Sequence, residues 1–218
     1  VMRILFINPN STASMTETIA DCARAVAAPD VEVEAWTSHG GPPAIQGRED
    51  GEAAVAPLLE ELARGESQDF DAFVIACFDD TGLAEARAQT HRPVLGIGQS
   101  AFHAAMMRGG RFSVVTTLAV SIPVIEDNLA ASGLDRACAR VRASGVPVLA
   151  LETDPEQSER AVSDEIRRAK DEDGIGAVVL GCAGMADLAT RMGQLHRTPV
   201  IDGVAAACGL ARTLVTMR

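Results

Sequence analysis

Two stretches decide how this chain folds: "AFVIACFDDTGL" at residues 72–83 and "AVVLGCAGMADL" at residues 177–188. Each is a short apolar run that closes on a cysteine, Cys77 or Cys182, and passes into small and polar residues, the pattern of a buried strand running into a turn. The two cysteines stand 105 positions apart, and the flanking sequence keeps step. "RILFIN" from Arg3 matches "RFSVVT" from Arg111 at an offset of 108, and "RPVLGIG" around Pro93 matches "TPVIDGV" around Pro199 at 106. An offset this constant over three landmarks means that the second half of the chain repeats the first.

Outward from these landmarks, short apolar runs bounded by turn residues predict strands at Arg3 to Ile7, Val31 to Trp36, Ala72 to Cys77, Val94 to Ile97, Phe112 to Thr116, Val146 to Leu151, Ala177 to Gly181 and Val200 to Ile201. Helical spacing fills the intervals. Val55, Leu58, Leu59 and Leu62 predict a helix from Glu52 that Gly65 is placed to end, and Ser14 with Glu17 forms a capping-box pattern. Asp154-Pro155-Glu156-Gln157 reads as N-cap, N1 proline and capping box of a further helix. Alternating strands and helices predict an α/β chain with mainly parallel sheets, folded as two pseudo-symmetric lobes with the active site in the cleft between them.

Composition narrows the function. The chain has 218 residues, 19 basic against 30 acidic side chains for a formal charge of −11, and 47% apolar but only 3% aromatic residues. An acidic surface without a Lys/Arg run repels a phosphate backbone, and few aromatic rings leave few stacking platforms, so neither nucleic acid nor an anionic membrane is an expected partner. No apolar stretch approaches the roughly 18 residues of a membrane span, and the run Ile4 to Ile7 stops at Asn8-Pro9-Asn10, so a soluble, cytoplasmic protein is expected. Five cysteines without CxxC or CxxH spacing point to neither a disulfide framework nor a zinc site.

In parallel α/β sheets ligands sit beyond the carboxyl ends of strands, where Cys77 and Cys182 both fall. Free amides at such turns are expected to lower a thiol's pKa and supply thiolate near neutral pH. A pseudo-two-fold places the two sulfurs across one cleft. One thiolate can then remove a proton from a stereocentre while the opposite thiol delivers one to the other face, which is what a racemase without a cofactor requires. Asn10 and Ser11 after the first strand, and Thr116 and Thr117 with Ser121 after its counterpart, put amide and hydroxyl donors where enolate charge would develop. The expected substrate-binding set is Asn10, Ser11, Phe78, Asp79, Thr116, Thr117, Ala183 and Gly184, with backbone amides near Phe78, Asp79, Ala183 and Gly184 forming oxygen-binding nests.

Other residues read as structural. His39, His91, His103 and His196 lack metal-ligand spacing and are expected in solvated loops, and no metal is expected. Gly96-Ile97-Gly98 lacks the third glycine of a dinucleotide fingerprint. Asp79-Asp80 reads first as N-capping, while Cys22, Cys138 and Cys208 lie in helical patterns and read as packing residues.

"INPNST" after the first strand, "ACFDDTGL" around Cys77, "VVTT" at Thr116 and "LGCAGM" around Cys182 together resemble the aspartate/glutamate/hydantoin racemase superfamily, over essentially the whole chain. The resemblance implies a cofactor-independent enzyme with its substrate between Cys77 and Cys182, and small enzymes of this fold are often homo-oligomers. It also implies that the C-terminal helix crosses back, so that residues 1–96 with 205–218 form the lobe carrying Cys77 and residues 97–204 the lobe carrying Cys182. The likeness is nearest to hydantoin and allantoin racemases. Glutamate racemases follow their cysteines with Asn-Thr and Thr-His, whereas Phe78-Asp79 and Ala183-Gly184 here suit a neutral ring. The expected activity is therefore racemisation of a 5-substituted hydantoin or allantoin, with an aspartate/glutamate-type amino-acid racemase or a maleate-type cis-trans isomerase as the alternative. A small-molecule-binding α/β protein is the non-enzyme alternative.

Overall fold

The computed structural model describes residues 1–217. Strand β1 (Met2–Asn8) leads through α1 (Ala13–Val26) to β2 (Val31–Thr37), then through α2 (Arg48–Glu66) to β3 (Ala72–Ile75), and through α3 (Leu83–Gln89) to β4 (Val94–Gly96). Helix α4 (Ile97–Gly109) carries the chain into its second half. There β5 (Phe112–Thr116), α5 (Ile122–Ala131), β6 (Cys138–Ala143), α6 (Ala150–Thr153), α7 (Pro155–Glu172), β7 (Ala177–Gly181), α8 (Ala189–His196), β8 (Val200–Asp202) and α9 (Gly203–Thr216) follow. The strands form two four-stranded sheets, ordered β2-β1-β3-β4 and β6-β5-β7-β8, with every neighbouring pair parallel.

The repeat holds at the level of register. Ile7 pairs with Ile75 in the first sheet, and Val115 with Leu180 in the second, at the offsets read from the sequence. The Phe73 N–H donates to the Pro93 carbonyl at 2.9 Å, and the Val178 N–H to the Pro199 carbonyl at the same distance. Helices cover both faces of such sheets, so the central strands are apolar throughout: Ile4, Leu5, Phe6 and Ile7 of β1 are all inaccessible to solvent. One hydrophobic cluster runs through both halves, taking in Phe6 and Val74 from the first sheet and Phe112 and Val179 from the second. Phe102 on α4 joins them, meeting Phe78 edge-on at 5.4 Å between ring centroids and stacking on Phe112 at 6.2 Å. Helix α9 returns to pack on α1, α4 and β3, burying Ala207, Cys208 and Ala211 in the same cluster.

The structure corrects several local expectations. The second strand of the second sheet is β6, not Val146 to Leu151, and Cys138 opens that strand rather than sitting in a helix. Strand β6 lies at a sheet edge and carries Arg142, whose guanidinium is bound by Asp173, Glu165 and Glu172 at 2.7 to 3.0 Å. These partners lie on or just beyond α7, too far along the chain for local patterning to show them. The run Val146 to Leu151 is buried at several positions, but the Ala150 N–H bonds the Pro147 carbonyl and the segment turns into α6. At α1 the N-cap is Thr12, without a side-chain cap bond, and Ser14 falls inside the first turn. Asp154 caps α7 as expected, accepting the Gln157 N–H. Helix α2 begins at Arg48, earlier than expected, and Gly65 lies in its last turn, where a Cβ would come within 2.8 Å of Leu5.

Candidate active site

The carboxyl ends of β1 and β3 face those of β5 and β7 across a small cavity. Asn10 comes from the exit of β1; Cys77, Phe78 and Asp79 from that of β3; Thr117 and Ser121 from that of β5; Cys182, Ala183 and Gly184 from that of β7. All four central strands thus deliver residues to one place, because backbone groups at these ends have run out of ladder partners and the chain must turn there. The two cysteine turns are copies of each other. The Asp80 N–H returns to the Cys77 carbonyl at 3.0 Å, and the Met185 N–H to the Cys182 carbonyl at 3.1 Å.

Each sulfur also receives the N–H of the residue two positions on, Asp79 for Cys77 and Gly184 for Cys182, and this lowers its pKa as the sequence suggested. Burial outweighs the gain. Desolvation pushes the Cys77 thiol far above its ordinary value, with the Asp79 charge adding to the rise, and pushes Cys182 up to about 11. Both thiols are therefore protonated at neutral pH, contrary to the expectation of a ready thiolate. Thr81 Oγ1 stands 3.5 Å from the Cys77 sulfur. The Asp79 carboxyl is itself raised by burial to about 7. No basic side chain lines the cavity among the described residues.

The profile described as Asp/Glu/Hydantoin racemase matches residues 4–211. The chain belongs to this family. A hydantoin racemase of Rhizobium meliloti is 48% identical over 214 residues, covering 98% of this chain and 89% of the relative. Among solved structures, the allantoin racemase of Klebsiella pneumoniae is 43% identical with a TM-score of 0.97, covering 100% of this chain and 89% of that one. The allantoin racemase of Pseudomonas fluorescens is 40% identical with a TM-score of 0.94, over 98% and 91%.

Against this family background, the residues singled out in the sequence divide into two groups. Asn10, Phe78, Asp79, Thr117, Ala183 and Gly184 line the cavity with the two cysteines. Asn10 Oδ1 accepts from Asn8 Nδ2 and from the Thr12 N–H, both at 2.9 Å, which fixes its amide plane and leaves its Nδ2 with only the weak acceptor Met15 Sδ at 3.4 Å. The Thr117 and Ser121 side chains are buried against the cavity, and neither hydroxyl is spent on another protein group among the described residues. Ser11 and Thr116 lie outside the lining. The Ser11 N–H holds the Pro42 carbonyl at 2.9 Å, and the Thr116 hydroxyl donates to the Gly181 carbonyl at 3.0 Å, tying β5 to β7.

Neither His103 nor His196 is in a loop. Each sits on a helix, with His103 Nδ1 2.8 Å from the Gln99 carbonyl and His196 Nε2 2.8 Å from the Ser163 hydroxyl.

Sequence reasoning missed the apolar roof of the cavity: Met15 and Ile19 from α1, Ile45 from the β2–α2 loop, and Val148 beyond β6. Met15 and Ile19 are one helical turn apart, a spacing that shows a buried face but not what it covers. Ile45 and Val148 are isolated apolar residues in irregular segments, where no period exists to place them.

Proposed function

We propose that this chain is a cofactor-independent racemase of 5-substituted hydantoins or allantoin, in which Cys77 and Cys182 exchange protons with opposite faces of the substrate's stereocentre. The observation that carries the reading is the meeting of two cysteines, from equivalent strand ends of the two repeats, in one cavity. The hydantoin and allantoin racemases similar to this chain over nearly its whole length support it. The ring carbon that reacts is acidified by its neighbouring carbonyl. One sulfur, as thiolate, takes its proton; the carbonyl oxygen takes up the charge; the opposite thiol protonates the other face. The Asn10 amide and the Thr117 and Ser121 hydroxyls supply donors for ring oxygens, together with amides near Phe78 and Ala183. Exchanging the roles of the sulfurs runs the reverse reaction.

The lining argues against the dicarboxylate alternative. A cavity holding the Asp79 carboxyl and no basic side chain repels an anion and accepts a neutral ring. Enantiopure 5-substituted hydantoins, allantoin, L-glutamate and maleate are to be incubated with the protein in D2O, with optical rotation and α-deuterium followed together. Loss of rotation with deuterium uptake is expected for a hydantoin or allantoin. Turnover of L-glutamate or maleate alone would overturn the assignment.

A further inference from the structure

The two-cysteine reading leaves one need unmet, which is the origin of the thiolate. Both thiols hold their protons at neutral pH, and no lysine, arginine or histidine lines the cavity to stabilise their anions among the described residues. Apart from the sulfurs, the one ionisable side chain in the lining among the described residues is Asp79.

Its placement is specific. The Asp79 N–H is bound to the Cys77 sulfur, and its carbonyl is held at 2.8 Å by the Asn128 side chain from α5. The next residue, Asp80, is locked by two hydrogen bonds to the amino end of α4. The turn that presents Asp79 is thus tied on both sides, while its carboxyl has no hydrogen-bond partner among the described residues. Asp79 lines the same cavity as both sulfurs, and while ionised its charge raises the pKa of each, so a thiolate is favoured only when the proton passes to Asp79 itself. In the second repeat the equivalent position is Gly184, whose missing Cβ would lie 3.8 Å from the Cys182 sulfur and 3.0 Å from Leu151. The internal symmetry is broken here in a way that leaves one carboxyl to serve two thiols.

We propose that Asp79 is the acid–base partner of both cysteines, taking the proton that turns one thiol into a thiolate and returning it to the other thiol after turnover. The inference rests on the racemase reading above. The resting site holds ionised Asp79 and two thiols. The Asp79 carboxylate takes the proton of the first thiol; that thiolate takes the proton of the substrate carbon; the second thiol gives its proton to the opposite face and becomes the thiolate. Asp79 then gives its proton to the second sulfur, and the starting state is restored with one negative charge throughout. Either enantiomer enters the same resting form. Among the described residues, the titratable groups that share the lining with Asp79 or adjoin it are the two cysteines and Asp80, whose carboxyl points away to the Gly98 and Gln99 amides; the lining residues of α1 and the roof, Met15, Ile19, Ile45 and Val148, are uncharged.

The test compares the parent protein with Asp79→Asn and Asp79→Glu, using whichever hydantoin or allantoin the D2O experiment identifies. For the parent, kcat/KM is expected to rise with pH through an inflection near the Asp79 pKa of about 7. Asp79→Asn is expected to lose at least about a hundredfold in kcat at pH 7.5, with the inflection gone and KM changed far less. Asp79→Glu is expected to restore the inflection with part of the rate. Thermal unfolding of each variant separates misfolding from lost chemistry. If Asp79→Asn keeps the parent inflection, or races ahead of the parent because the thiols are relieved of a nearby charge, the proposal falls. The racemase reading survives that result so long as Cys77→Ser and Cys182→Ser still abolish turnover.

Discussion

Cys77 and Cys182 sit where backbone amides reach their sulfurs, yet desolvation decides their protonation, because a buried anion without a counter-cation is costlier than one hydrogen bond repays. The proposed two-sulfur mechanism divides the labour between them, and single-residue variants can expose it. Cys77→Ser and Cys182→Ser are each expected to lose racemisation by at least about a thousandfold, since each removes one face of the reaction. Each variant should still exchange the α-proton of one enantiomer, and the two variants should choose opposite enantiomers; NMR in D2O reads this directly. Racemisation by both at the parental rate would dismiss the two-sulfur mechanism. That Cys77 and Cys182 share one cavity was legible from matched strand ends. Their protonation was not, because it depends on what the opposite lobe packs around them.

At the scale of elements, the amino ends of α4 and α9 solve one problem in two ways. In the second repeat, Asp202 caps its own helix, its carboxylate accepting the Val204 and Ala205 N–H groups at 2.9 Å each. In the first, the equivalent position is Gly96, and Asp80 reaches over from the cysteine turn to bind the Gly98 and Gln99 N–H groups at 2.9 and 2.7 Å. A Cβ on Gly96 would lie 2.0 Å from Asp80 Oδ1, and one on Gly98 would lie 2.2 Å from the Phe78 carbonyl. The Gly96-Ile97-Gly98 pattern is thus a seat for the cysteine turn rather than a nucleotide fingerprint. Asp80 takes a left-handed φ of 50° to reach it. Gly96→Ala is expected to cost about 1–3 kcal/mol, as overpacking of a tight contact does. Urea unfolding measures the cost, and an unchanged midpoint would show that the turn yields without penalty. Activity should fall as well, because the displaced turn carries Cys77 and Asp79.

Over the whole molecule, the cavity is closed by bonds that join the two halves. The Val148 N–H donates to Gln46 Oε1 at 3.0 Å, and the Ser14 hydroxyl to Glu152 at 2.7 Å. Met15, Ala44 and Val148 pack together over Cys182 between these ties. The roof lines the cavity and carries no reacting group, so its ties are expected to bear on binding more than on chemistry. Gln46→Ala leaves the Val148 amide without its partner and is expected to raise KM several-fold, roughly the effect of losing one net hydrogen bond, with kcat within about twofold of the parent. Steady-state kinetics checks the split, and an unchanged KM would mean that the roof opens by another route.

The sequence by itself determined the repeat, the parallel α/β class and the pairing of Cys77 with Cys182, because strand periodicity and turn chemistry are local and occur here twice at one spacing. The tertiary structure decided the rest, by contacts between residues far apart in the chain. It placed β6 at an edge where distant carboxylates hold Arg142, and it spent the Ser11 amide and the Thr116 hydroxyl on structure. It also roofed the cavity with isolated apolar residues from unpatterned loops, and surrounded both thiols with enough protein to keep them neutral. Burial and long-range partnership are properties of the packed chain, and no local pattern carries them.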